Sequence, residues 1–140
     1  MGLFNFLKTK NKNAAQKTIL IIDDGEGERH FIKRTLQKRG FNTLVASDGP
    51  SGLKLLQNSK ADLILLDFNM PGMMGSEVCE KIKANDYTKD IPVVFLTGSV
   101  SSKNLLDCYE VGAEYYLNKP ITGAALCKQV EMICKELDRG

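Results

Sequence analysis

Ala61-Asp62-Leu63-Ile64-Leu65-Leu66-Asp67 is the stretch that most constrains what this chain can fold into. A continuous Leu/Ile run bounded by turn signals reads as a strand buried on both faces. It ends abruptly in a carboxylate, and the turn-rich Phe68-Asn69-Met70-Pro71-Gly72-Met73-Met74-Gly75 follows. Asp67 therefore stands where a buried strand leaves its sheet. In open parallel sheets, ligand chemistry gathers at the carboxyl ends of the strands.

Four other apolar runs can be paired with this one. Thr18-Ile19-Leu20-Ile21-Ile22 is a β-branched run that ends in Asp23-Asp24. Phe41 to Ala46 reads as a second strand. Ile91 to Thr97 reads as a fourth, with Pro92 near its start, where a missing N–H is tolerated. Glu114 to Asn118 is a short fifth, ending at Lys119-Pro120.

Helical spacing fills the intervals. Phe31, Ile32, Thr35 and Leu36 recur after Gly25-Glu26-Gly27, and Gly40 closes that helix. Ser47-Asp48-Gly49-Pro50 turns into a helix with Leu53, Leu55 and Leu56 that ends near Asn58. Gly75-Ser76 opens a third, with Val78, Cys79 and Ile82 inward and Asn85-Asp86 at its close. Ser102 is a candidate cap for a fourth, which carries Leu105, Leu106 and Tyr109 and ends at Gly112. The last runs from about Thr122 to Leu137, with Leu126, Val130, Ile133 and Leu137 on one face. Strands alternating with helices give an α/β fold with a parallel sheet and right-handed crossovers.

A length of 140 residues suits one domain with a real core, and no repeat or second domain is visible. A net charge of +2 is too small to make nucleic acid the main partner. No apolar run approaches the roughly 20 residues that span a bilayer, and no signal peptide is visible. Cys79, Cys108, Cys127 and Cys134 form no C-x-x-C pair and lack zinc spacing, so they read as reduced structural thiols in a cytoplasmic protein. His30, the single histidine, reads as a surface or packing residue.

Residues 1 to 17 form a leader, with Leu3, Phe4, Phe6 and Leu7 on one helical face and lysines after them. It reads first as a polar arm with a sticky end. Docking onto protein and a weak interfacial membrane contact are the alternatives.

The ends of the central strands form a set: Asp23-Asp24, Asp67, Thr97 and Lys119. Each alone has a plain reading. The paired aspartates suit a helix N-terminus, Asp67 a turn, Thr97 a strand end and Lys119 a solvated surface. Together, at four strand ends, they imply one crevice. Carboxylates gathered there repel each other and raise each other's pKa unless a cation neutralises them. Hard oxygen ligands suit Mg²⁺, which keeps waters and shares phosphate oxygens. A lysine ammonium and a threonine hydroxyl opposite it suit phosphoryl oxygens. The set points to a phosphoryl group placed on Asp67 as nucleophile.

The motifs Ile21-Ile22-Asp23-Asp24, Asp67-x-x-Met70-Pro71-x-Met73-x-Gly75, Thr97-Gly98 and Tyr116-Leu117-Asn118-Lys119-Pro120 resemble those of response-regulator receiver domains, the phosphoacceptor modules of two-component signalling. The resemblance runs from about Thr18 to Leu137. It implies a flavodoxin-like (βα)5 three-layer sandwich with a five-stranded parallel sheet of order 2-1-3-4-5, an order for which the chemotaxis regulator is the standard example. It divides the chain into a leader (1–17), a receiver domain (18–138) and a tail (139–140).

By that resemblance Asp67 accepts phosphate from a sensor histidine kinase or a histidine phosphotransfer protein. Asp24, Asp67 and the Asn69 backbone carbonyl bind Mg²⁺ directly, and Asp23 helps partly through water. Lys119 pairs with Asp67, and Thr97 grips a phosphoryl oxygen. Tyr116 turns inward when Thr97 moves. Asn69 and Ser99 flank the path of hydrolytic water. The Lys119–Pro120 bond is expected to be cis. An effector would bind the face made by the fourth helix, fifth strand and fifth helix. Such a stand-alone receiver catalyses only its own phosphoryl transfer and dephosphorylation and is not an enzyme with a free substrate.

Tyr115 stands where many members carry an acid, Ile121 replaces a common Phe, and Gly25-Glu26-Gly27 is an unusually flexible helix start. The rival readings are an Mg²⁺-dependent aspartyl-phosphate phosphatase and a phosphorylation-independent adaptor. The first needs a carboxylate two residues beyond the nucleophile, where this chain has Asn69.

Overall fold

A computed structural model describes residues 17–98 and 102–139. The leader up to residue 16 and Ser99 lie outside the described residues. The strands are β1 (Thr18–Ile22), β2 (Asn42–Ala46), β3 (Leu63–Asp67), β4 (Val93–Thr97) and β5 (Tyr115–Asn118). The helices are α1 (Glu26–Lys38), α2 (Gly49–Asn58), α3 (Gly75–Ala84), α4 (Ser102–Glu110) and α5 (Gly123–Arg139). All strand pairs are parallel, in the order β2-β1-β3-β4-β5. This is the expected flavodoxin-like arrangement.

The three layers follow from the two-residue period of a strand. Leu20, Ile22, Ile64, Leu66, Val93 and Phe95 face one side of the sheet and pack with Val78, Cys79 and Ile82 of α3, Leu53 and Leu56 of α2 and Cys108 of α4. Ile19, Ile21, Leu63, Leu65, Val94 and Leu96 face the other side and pack with Ile32 and Leu36 of α1 and Leu126, Val130 and Ile133 of α5. β3 and β4 are buried along their whole length, which is why they read as unbroken apolar runs.

Several ends differ from the expected ones, at β2 and β4 for hydrogen-bonding reasons. Phe41 is buried but donates its N–H to Leu36 at the end of α1, so β2 begins one residue later. Ile91 donates to Thr88 and Pro92 has no N–H, so β4 begins at Val93. β5 begins at Tyr115 rather than Glu114. Thr122 caps α5 from outside it, its Oγ1 accepting from the Ala125 N–H at 3.1 Å.

The last two helices are buried unevenly. α4 buries Cys108, while Leu105, Leu106 and Tyr109 are exposed, the last two by 61% and 54%. On the α5 face, Leu126, Val130 and Ile133 are buried but Leu137 is exposed. All four cysteines are free and buried. Burial pushes the Cys79 thiol up to about 12 and the Cys108 and Cys134 thiols up to about 11, so none is a reactive thiolate.

Gly75 joins this frame to the loop after β3. A Cβ there would lie 2.4 Å from the Asp67 carbonyl oxygen and 2.9 Å from the Phe68 Cα. The obstacle is backbone, which cannot rotate away. Gly75→Ala should therefore destabilise the fold by about 1–3 kcal/mol, as overpacking does. Gly27, in the first turn of α1, has nothing within 4 Å of its notional Cβ. Gly27→Ala should stabilise by about 0.5–1 kcal/mol through helix propensity. Urea unfolding of the two variants checks the opposite signs.

Candidate functional site

Register decides what meets at the carboxyl edge of the sheet. Ile22 pairs with Leu66, so Asp23 and Asp67 leave the sheet at the same level. Thr97 pairs with Asn118, so Lys119 follows one residue beyond Thr97. The Lys119 N–H donates to the Thr97 carbonyl at 2.8 Å, and the Lys119–Pro120 bond is cis.

Asp23 and Asp67 are buried and Asp24 is exposed. One carboxylate oxygen from each lies within 4.8 Å of the others, close enough for the three to share a metal ion. The all-oxygen donor set fits Mg²⁺, the cation that the sequence implies.

Local hydrogen bonds fix the carboxylates. Asp23 Oδ1 accepts from the Gly25 N–H at 2.8 Å. Its carbonyl accepts from Arg29 Nη1 at 2.8 Å and its N–H donates to Ala46. Asp67 Oδ1 accepts from the Asn69 N–H at 3.3 Å. Asn69 is otherwise exposed.

Lys119 stands opposite. Its Nζ lies 3.3 Å from Asp67 and 3.5 Å from Asp23. Its shortest contacts go to Glu28 in the first turn of α1, at 2.9 and 3.0 Å to the two carboxylate oxygens. Glu28 and Arg29 were not visible as site residues in the sequence. An acid in a first helical turn is common simply because it suits the helix dipole.

The charge balance perturbs the site. Burial pushes the Asp67 carboxyl up to about 7, helped by a side-chain hydrogen bond with Asp24 and the charge of Asp23 and opposed by Lys119. For Lys119, burial acts to lower the pKa, but the hydrogen bond with Glu28 and the charges of Asp67 and Asp23 leave it raised.

Thr97 is fully buried. A side-chain hydrogen bond links it to Tyr116, whose ring packs against the cluster containing Phe95 and Cys108. The ring gains apolar contact while remaining partly exposed. Tyr115, the departure noted at β5, donates its hydroxyl to Glu136 and so ties β5 to α5. That bond is the main cause that pushes Tyr115 up to about 12.

The doubly wound parallel sheet thus gathers an acidic triad, a lysine and a buried threonine at one edge. The response regulator receiver domain family matches residues 19–131. The chain belongs to that family. It is 34% identical over 128 residues to the chemotaxis protein CheY-3 of Vibrio cholerae, covering 91% of this chain and 96% of that protein. It is 33% identical over 124 residues to the phosphate regulon transcriptional regulatory protein PhoB of Pseudomonas aeruginosa, covering 89% of this chain but 54% of that one. Among solved structures, a CheY-like receiver domain protein from Methanospirillum hungatei superposes with a TM-score of 0.82 at 27% identity, covering 88% of this chain and 97% of that one. No helix among the described residues is long and apolar enough to cross a membrane.

The raised Asp67 pKa gives a pH signature. Its ordinary value is 3.8 and its folded value about 7, so the folded state binds the proton more tightly. The stability this contributes is full below about pH 4 and is lost as pH rises to about 7. In chelator, wild type should fall behind Asp67→Asn across that window by on the order of 1–3 kcal/mol. Urea unfolding at a series of pH values checks this. Added Mg²⁺ should recover more of the gap at pH 8 than at pH 5.

Proposed function

We propose that Asp67 accepts a phosphoryl group from the phosphohistidine of a sensor histidine kinase or a histidine phosphotransfer protein, and that this switches the binding of an effector. One observation carries the reading. Asp67 is a buried carboxylate with an ammonium 3.3 Å away and two further carboxylates within reach of one shared cation.

An Asp67 oxygen attacks phosphorus, the P–N bond breaks, and the imidazole leaves with its electron pair. Lys119 orients the acceptor and holds a phosphoryl oxygen as the new P–O bond forms. Asp23, Asp24 and Asp67, with the Asn69 carbonyl, would hold Mg²⁺, which when bound supplies the positive charge that lets anions gather there. The exposure of Asp24 leaves that side open to the donor. Asn69 borders the route by which water would later reach the acyl phosphate. Turnover on a free substrate is no part of this function.

Thr97 and Tyr116 form the link to output. The Thr97 hydroxyl is engaged with Tyr116. A phosphoryl group on Asp67 offers it a charged acceptor, and hydrogen bonds to ionised acceptors are roughly twice as strong as neutral ones. Thr97 then changes partner and Tyr116 repacks. The surface affected is that of α4, β5 and α5, where Leu105, Leu106 and Tyr109 stand exposed as ready apolar contacts for an effector protein. A partner that favours one arrangement shifts the population toward it. A coupling of about 1–3 kcal/mol would change its affinity several-fold to a hundredfold.

Incubation with acetyl phosphate and Mg²⁺, read by intact mass, tests the acceptor. Wild type should gain one phosphoryl group, while Asp67→Asn and Asp24→Ala should gain none. Uptake by Asp67→Asn at the wild-type rate would overturn the assignment. Thr97→Ala should accept phosphate more slowly and should not change its affinity for a partner captured by the phosphorylated wild type. Full switching in that variant would remove Thr97 and Tyr116 from the mechanism.

A further inference from the structure

Lys119 is shared among three carboxylates, and the one it contacts most closely lies outside the acidic triad. Glu28 meets the ammonium at 2.9 and 3.0 Å, against 3.3 Å for Asp67 and 3.5 Å for Asp23. Glu28 comes from α1, not from a strand end, and its side chain is 37% exposed. Together with Lys119, Phe31, Ile32, Pro120 and Ile121 it lines a surface hollow of about 470 Å³. The carboxylate thus has room to swing away without unpacking the core.

We propose that Glu28 is a resident counter-ion of Lys119, displaced by the incoming phosphoryl group, and that it sets how readily Asp67 takes up phosphate. Glu28 is a positioning residue that acts through Lys119. The inference rests on the reading of Asp67 as the phosphoacceptor.

The electrostatic logic has one sign. Lys119 must give up its contact with Glu28, or share it, to grip a phosphoryl oxygen. The phosphoryl group also brings negative charge toward the Glu28 carboxylate, and like charges in one site disfavour each other. Both effects oppose uptake. Neutralising Glu28 therefore releases the lysine and removes a repulsion. General damage to the site would weaken uptake, so a gain of affinity is a readout that a merely structural role cannot produce.

The test uses beryllofluoride with Mg²⁺ as a phosphoryl mimic, titrated into the full chain and followed by tyrosine fluorescence, alongside the initial rate of phosphorylation by acetyl phosphate. E28Q and E28A should bind beryllofluoride about three- to tenfold more tightly than wild type and take up phosphate faster by a similar factor, the size expected for loss of a partly exposed charged contact. E28D keeps the charge with a shorter reach and should fall between. The gaps should narrow in high salt. If wild type binds beryllofluoride and is phosphorylated on Asp67 while folded E28Q and E28A do neither more strongly, the role of Glu28 is overturned and the acceptor assignment stands. If wild type does neither, both readings fall.

Discussion

The ion pair between Asp67 and Lys119 is the interaction that the architecture of this protein serves. A carboxylate at the end of a strand buried on both faces is expensive to ionise, and here burial lifts its pKa to about 7. It is tolerable because a parallel sheet ends all its strands on one edge. β1 therefore delivers Asp23 and Asp24, β4 delivers Thr97 and β5 delivers Lys119 to the place where β3 delivers Asp67. The compensation is incomplete. With Glu28 counted, four carboxylates gather around one ammonium, which touches three of them. Such an excess of negative charge suits a site that could hold a cation.

The opposite edge of the sheet shows what a satisfied lysine looks like. Lys83 donates to the Lys89 carbonyl at 3.1 Å, the Ile91 carbonyl at 2.7 Å and Glu114 at 2.6 Å. The second oxygen of Glu114 accepts from the Val93 N–H at 2.7 Å. Asp62 likewise accepts from the Thr18 N–H at 2.7 Å. Each of these charged side chains completes backbone hydrogen bonds where strands start, and none shares a site with more than one opposite charge. Lys119 instead faces three acids across longer contacts. The same residue type closes the structure at one edge and leaves it open to exchange at the other.

That contrast also explains what could be read from the sequence. β1, β3 and β4 were legible because strands buried on both faces carry no polar interruption, and the residues ending them stood out against that background. Glu28 was not legible: an acid in a first helical turn has an ordinary electrostatic reason to be there, and only the fold brings it to Lys119. The α4 stripe was open for a related reason: Leu105, Leu106 and Tyr109 recur at helical spacing, yet periodicity cannot say whether an apolar face meets the protein's own core or solvent. Strand starts slipped by one or two residues at Phe41 and Ile91, because a buried or β-prone residue can spend its N–H on a local turn.

Tyr116 was marked by the receiver-domain resemblance, and its position bears on how a switch here would operate. Phe95 pairs with Tyr116 across β4 and β5, so the tyrosine sits beside the strand that carries Thr97. Its ring packs against the Phe95 cluster and its hydroxyl interacts with Thr97, so a change at Thr97 reaches it directly. The Thr97 hydroxyl has one proton to donate. Whatever draws that proton toward the acidic edge alters the bond on the Tyr116 side. In the proposed switch the signal therefore crosses one hydrogen bond between neighbouring strands, beside the buried Cys108 of α4. A contact of that length couples two sites through a local exchange of partners, with the rest of the sheet left in register.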